Sequence, residues 1–211
     1  MTSESDSGGV EVSLRNGGSM LVRPIRPADK ALIRAGFERL SDESRYRRFL
    51  SPTPRLSEQM LRYLTEVDHE SHEALIATES TSGEGIGVAR YVRTDDPKAA
   101  EVAVTVVDDW HGRGVATALL ELLAARARES GIEKFTALLL ASNEEMVDLL
   151  ERLGPTTVER AAAGRMQLES DIPDVGVDPA IRSLLRRCAD ERSSVEPART
   201  LATGSGVGDP D

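Results

Sequence analysis

The stretch from Ala100 to Ser130 constrains this chain more than any other. An apolar, valine-rich run, Ala100–Val107, leads through a short turn containing Gly112, Arg113 and Gly114 into a helical pattern that lasts to about Ser130. The run has the composition and length of a strand. Across the helix, Val115, Leu119, Leu123 and Ala127 recur every fourth residue, so one apolar stripe must find a partner, and the strand before it supplies a sheet for that purpose. A strand, a glycine turn and a helix in immediate succession point to a mixed α/β layered fold. They also set several unpaired backbone N–H groups at the helix start, where the peptide dipoles favour an anion. Gly112 and Gly114 let the main chain come close to a phosphate without a Cβ in the way, and Arg113 adds positive charge there.

The rest of the chain fills in around that unit. Val10–Leu14 and Met20–Arg26 read as a β-hairpin across the turn-forming Asn16-Gly17-Gly18. A helical pattern runs from Pro27 to about Leu40. Ser41 caps a second helix to about Leu50, with Pro52 and Pro54 beyond it, and a third helix spans about Ser57–Val67 with Met60, Leu61 and Leu64 on one side. Glu73–Thr78, Gly85–Arg93 and Ala100–Val107 are expected strands, and their short links require antiparallel pairing. After the long helix, whose end Gly131 marks, come a strand over Phe135–Ala141, a helix over Asn143–Leu153, and closing strands near Thr157–Ala162 and Arg165–Glu169. The expectation is one folded domain over 10–170, a disordered stretch over 1–9, and a tail over 171–211 that is disordered except for a short helix near 179–192. That helix carries Ile181, Leu184, Leu185 and Cys188 at helical spacing.

Charge and composition narrow the partners. The net charge of −10 over 211 residues opposes binding to nucleic acid or anionic membranes, so an anionic ligand must be held locally. No apolar run approaches the roughly 20 residues that cross a bilayer, and the N-terminus lacks a basic segment followed by an apolar one. With Cys188 as the single cysteine, neither an internal disulfide nor a cysteine-rich metal site is available, and the expected compartment is the cytoplasm. His69 and His72 have a His-x-x-His spacing but no convincing third ligand, so no metal is expected. Arg45-Tyr46-Arg47-Arg48 would suit an acidic acceptor, part of an anionic ligand such as the cofactor, or a solvated helix face.

The segment His111-Gly112-Arg113-Gly114-Val115-Ala116 resembles the Gln/Arg-x-x-Gly-x-Gly/Ala signature of the GNAT acetyltransferase superfamily, departing only at His111. The resemblance covers about residues 20–170. It includes Arg23-Pro24-Ile25-Arg26-Pro27-Ala28-Asp29, Gly85-Ile86-Gly87-Val88-Ala89, and the Asn143 that opens a helix ending at Leu153-Gly154. Within the superfamily, Arg23–Leu50, Leu64–Asp68 and Ala100–Val104 look most like bacterial protein lysine acetyltransferases. The resemblance implies the GNAT fold: a central, mostly antiparallel twisted sheet, opened at an acetyl-CoA site and flanked by helices. It implies that Gly112, Arg113, Gly114, Val115, Ala116 and Thr117 hold the phosphates of acetyl-CoA, that the backbone of Val104, Thr105 and Val106 holds its pantetheine arm and acetyl group, and that Asn143 contributes to that arm.

Acetyl transfer needs a neutral amine, and a lysine of pKa about 10.4 is almost wholly protonated at pH 7, so a base is useful. Glu101 opens the central strand and shares a face with Ala103 and Thr105. By resemblance it is the general base. Relatives carry a tyrosine acid seven residues after the asparagine, where this chain has Leu150. A thiol of pKa about 8.5 leaves without a dedicated donor, so this departure weakens the enzyme reading without cancelling it. Three activities stay open: acetylation of a protein lysine, acetylation of a small amine, and acyl-CoA binding with little catalysis.

Overall fold

The computed structural model describes residues 9–14, 18–160 and 164–173. The helix expected near 179–192 and the last residues of the strand expected over Thr157–Ala162 lie outside them. The chain opens with a hairpin, β1 (Val10–Ser13) and β2 (Ser19–Pro24), paired Val10 to Val22 through Ser13 to Ser19. A 3-10 turn over Pro27–Asp29 leads into α1 (Lys30–Glu38). Two serines then start helices: the Ser41 hydroxyl accepts from Ser44 N–H at 3.2 Å to cap α2 (Asp42–Phe49), and Ser57 accepts from Met60 N–H at 3.2 Å to cap α3 (Glu58–Thr65). α2 ends before Pro52 is reached. Leu50 takes the left-handed conformation, φ 52°, and its N–H returns to Tyr46 O.

Three long strands follow, β3 (His72–Glu79), β4 (Gly85–Arg93) and β5 (Ala99–Val106), in antiparallel pairing with a register shift between Ala77 and Thr78. α4 (Val115–Glu129), β6 (Lys134–Leu140), α5 (Glu144–Leu153), β7 (Thr156–Arg160) and β8 (Arg165–Asp171) complete the described fold. The last strand runs two residues beyond the Glu169 expected from sequence. The strands form one sheet in the order β1-β2-β3-β4-β5-β6-β8-β7. Every pairing is antiparallel except that of β5 with β6. The single parallel junction is a consequence of α4: a helix crossing the sheet returns the chain in the direction it left.

Alternation along the strands divides the core between two faces. Ala74 and Ile76 of β3 and Val88 of β4 pack with Leu32 and Ile33 of α1. The intervening Leu75 and Ala77 belong with the apolar stripe of α4, where Val115, Leu119, Leu123 and Ala127 are all buried. α1 and α3 therefore cover one face and α4 the other, with α5 beside α4 and over β8. No helix among the described residues is long and apolar enough to cross a membrane.

Candidate active site

The sheet parts where β5 meets β6. Only Ala99, Ala100 and Glu101 pair with Lys134, Phe135 and Thr136; β5 then continues to Val106 and β6 to Leu140 without each other. Val107 N–H bonds Ile86 O on β4, and in an antiparallel ladder the residues that exchange bonds with one neighbour alternate with those that face away. Thr105 and Ala103 therefore direct their main-chain groups to β4, whereas Val102, Val104 and Val106 direct theirs into the opening. Lys98, in the same phase, confirms the assignment, because its carbonyl accepts from Lys134 N–H on the β6 side. Sequence alone had grouped Val104, Thr105 and Val106 together.

The opening is the floor of a cleft of about 610 Å³. One wall is Glu101–Val106 of β5 and the other is Ala137–Leu139 of β6, while α2 and α5 form the rims. At the far end stands the glycine turn. Gly112 and Gly114 have φ of 71° and 90°, a region open to glycine at little cost and expensive for other residues. A Cβ at Gly112 would meet no heavy atom within 4 Å, so backbone conformation, and not crowding, is what asks for glycine. The first i to i−4 bond of α4 runs from Ala118 N–H to Gly114 O, which leaves the N–H groups of Val115, Ala116 and Thr117 off the helix end, and all three residues line the cleft.

Other expected residues take up more specific places. Arg113 turns its guanidinium over the Trp110 ring, 4.7 Å from the centroid, and is not part of the cleft wall. His111 lines the cleft and its Nε2 bonds Val106 O at 2.9 Å, so the imidazole ties off the last carbonyl of β5. Nothing in the local sequence signals that bond. Asn143 caps α5 by accepting from Met146 N–H at 3.3 Å and also lies on the cleft. Leu150 is fully buried in the core, so the position of the tyrosine in relatives faces away from the cleft here.

Glu101 is exposed on the cleft wall, at the last paired residue before the strands part. The residue above it on α2 is Arg48. Burial lowers the pKa of the Arg48 guanidinium, and the charges of Tyr63 and Glu101 partly oppose that effect. Asp108 fastens α2 to the end of β5 by accepting from Ser41 N–H at 3.2 Å. Burial alone would raise the Asp108 pKa, but hydrogen bonds from Ser41 and Ser44, together with the charge of His111, hold it below the ordinary value. Arg47 joins the two rims, bonding Glu43 at 2.7 Å within α2 and Glu145 of α5 at 3.4 Å. His69 and His72 lie apart from the cleft and face different partners: His69 Nδ1 meets Glu73 at 2.6 Å and His72 Nε2 meets Arg90 at 3.1 Å.

An unpaired strand edge beside a glycine-built helix start suits a ligand with an extended, amide-bearing arm and phosphates at one end, and defines the acyl-CoA-dependent acetyltransferase type of site. Residues 19–156 match the acetyltransferase (GNAT) domain, and the chain belongs to that family. It is 34% identical over 187 residues to the acetyltransferase Pat of Mycolicibacterium smegmatis, covering 88% of this chain and 56% of that protein. The chain thus spans about half the length of that relative. The GNAT domain of S. lividans PAT superposes with a TM-score of 0.72 at 38% identity, over 80% of this chain and 99% of that one. A GNAT superfamily phosphinothricin acetyltransferase from Sinorhizobium meliloti, in complex with acetyl-CoA, shares the fold at 18% identity and a TM-score of 0.61, over 80% and 97% of the two chains.

Proposed function

We propose that this chain transfers the acetyl group of acetyl-CoA to the ε-amine of a protein lysine, with Glu101 as general base. The observation that carries the reading is the parting of β5 and β6 at the Glu101–Thr136 pair, which sets a carboxylate at the point where an open strand edge begins. The N–H groups of Val115, Ala116 and Thr117 and the Gly112–Gly114 turn are placed to hold the pyrophosphate. The main-chain groups of Val104 and the N–H of Val106, whose carbonyl His111 already occupies, suit a pantetheine arm lying as an added strand, and a main-chain N–H there can stabilise the oxyanion of the addition step. The amine nitrogen adds to the thioester carbonyl, its proton passes to Glu101, and the C–S bond breaks to release the CoA thiolate. No side chain at position 150 is required for that last step, because a thiolate is a fair leaving group.

The acetyl-CoA complex of the Sinorhizobium meliloti enzyme supports the choice of donor. The sequence resemblance to bacterial lysine acetyltransferases supports the acceptor, and the single cysteine and acidic charge support a cytoplasmic location. The test is incubation with labelled acetyl-CoA and a panel of lysine-bearing proteins and small amines. Label on lysine is expected. Label only on small amines would replace the acceptor, and binding without transfer would reduce the chain to an acyl-CoA-binding module. Glu101→Gln should lower turnover by about 10²-fold or more while leaving acetyl-CoA affinity nearly unchanged, and an unaltered rate would remove Glu101 from the mechanism.

A further inference from the structure

Off the side of the cleft lies an alcove of about 70 Å³ between α1, α2, β4 and β5. The two spaces share Arg48, Phe49, Ala103 and Thr105, so the alcove opens toward the face of β5 that carries Glu101. Most of its other walls are apolar, among them Phe37, Leu64 and Val88, yet two arginines line it, Arg48 from α2 and Arg90 from β4. Arg90 is 5% exposed and gives its protons to Leu64 O at 2.9 Å and to His72 Nε2 at 3.1 Å, both neutral partners at pH 7 because burial and the Arg90 charge bring the His72 pKa down to about 4. Arg48 has no hydrogen-bond or ion-pair partner among the described residues; its guanidinium lies 5.3 Å from the Phe49 ring centroid. The neighbouring arginines of α2 are occupied: Arg45 bonds the carbonyls of Phe37 and Glu38, and Arg47 bonds Glu43 and Glu145.

Two cations that face one apolar space with no carboxylate between them are uncommon, since buried charges are ordinarily paired. The strain is visible in Arg90, whose pKa falls to about 9 through burial first and the charge of Arg48 second. An incoming anion would relieve both effects. The space sets its size: with a water taking about 30 Å³ of the liquid, the alcove has room for a carboxylate and the methylenes that carry it, against walls that match those methylenes. Its position sets its role. Arg90 lies opposite Ala103, two residues along the same face of β5 from Glu101, a separation of about 7 Å.

We infer that the alcove receives the side-chain carboxylate of an acidic residue next to the target lysine of a protein acceptor, bridging Arg48 and Arg90 and so setting which lysines are acetylated. This rests on the protein-lysine reading of the site. In a chain of net charge −10 such discrimination would have to be made locally, and Arg48 and Arg90 are the cations placed to make it.

The test uses the full chain and nine-residue peptides with one central lysine, each made with glutamate or glutamine at one flanking position from −2 to +2. At one of these positions kcat/KM for the glutamate peptide should exceed that for the glutamine peptide by at least about tenfold, the size expected of a charge-assisted hydrogen bond. In Arg48→Gln the preference should fall below about twofold whatever happens to the rate itself, and Arg48→Lys should restore part of it. Arg90→Gln risks the fold because Arg90 also holds Leu64 O, so Arg48 carries the test. The same peptides with norleucine in place of lysine, titrated calorimetrically, separate the two readings. Acetylation of all peptides without a glutamate preference overturns the alcove and leaves the lysine reading standing. Absence of peptide acetylation with Arg48-dependent tighter binding of the glutamate peptide does the reverse. A glutamate preference that survives Arg48→Gln also overturns the alcove.

Discussion

Replacing Glu73 by glutamine removes one charge from the most deeply buried ion pair among the described residues. Glu73, at the start of β3, is 1% exposed. Its Oε2 accepts from Arg126 of α4 at 3.0 and 3.3 Å, and its Oε1 meets His69 Nδ1 at 2.6 Å and accepts from Ala74 N–H at 3.0 Å. Breaking such a pair from one side costs about 3–5 kcal/mol, because a charge is left behind in a place without water. Arg126 keeps Glu129 at 3.2 Å, which argues for the lower end, about 3 kcal/mol. For a chain of this length that corresponds to a fall in Tm of roughly 6–12 °C. Urea unfolding followed by circular dichroism at pH 7 measures the loss.

The pH dependence gives a second reading of the same pair. Burial by itself would raise the Glu73 pKa, but the hydrogen bond and charge of His69 and the charge of Arg126 reverse that, and the carboxyl ends below its ordinary value. A depressed folded pKa contributes stability above the unfolded value of about 4.3 and loses it as the pH falls from there through the folded value. The gap between wild type and Glu73→Gln should therefore begin to close as the pH falls below the unfolded value and go on closing as it falls through the folded one. Glu73→Leu combined with Arg126→Met should recover much of the loss, since apolar replacement of a whole buried pair is often neutral. A loss under about 1 kcal/mol at pH 7, or a difference that persists undiminished at pH 3, would refute the reasoning. Acetyl-CoA affinity should not follow, because Arg126 lies about 16 Å along α4 from Val115.

Gly112→Ala carries roughly 1–2 kcal/mol of strain at φ 71°, and where the unliganded turn relaxes to escape it, acetyl-CoA binding should weaken by about five- to thirtyfold; unchanged affinity and unchanged stability together would argue against the strained turn. Leu150→Tyr should overpack the core at a cost of about 1–3 kcal/mol and leave kcat no higher, because the side chain faces inward; a faster enzyme would show that the position reaches the cleft. The His72 imidazole should titrate near pH 4 by NMR, well below its ordinary range, because burial and then Arg90 oppose its protonation. A His72 pKa that stays near 6.5 would show that the ring is neither buried nor set beside the Arg90 charge as described.

Features of this protein that depend on a few neighbouring residues were legible in sequence. Ser41 caps the helix that follows it, as expected, and the helices expected from Ser57 and Asn143 start where those side chains cap them, because a cap is a bond to a backbone N–H three residues on. Gly112, Gly114 and Gly131 sit at positive φ at the ends of α4, where the turn chemistry requires them. α2 ends within a residue of the expected Leu50, but the left-handed turn that Leu50 makes there carries no sequence signal, because a non-glycine residue at positive φ looks like any other.

What joins distant residues was not legible. The place where β5 and β6 part depends on the register between strands separated by α4, and it decided which main-chain groups face the cleft. The ring of His111 on Val106 O, the Arg47–Glu145 bridge and the meeting of Arg48 with Arg90 each follow from how helices come to rest on the sheet. By itself the sequence determined the strand, the Gly112–Gly114 turn and the helix that follows it, and the face of β5 that carries Glu101, because periodicity and glycine placement are local properties of a chain. Only the tertiary structure decided that Arg45 and Arg47 would be occupied while Arg48 was left facing an apolar alcove, because the partners of a side chain are chosen by packing across the fold and not by its neighbours in sequence.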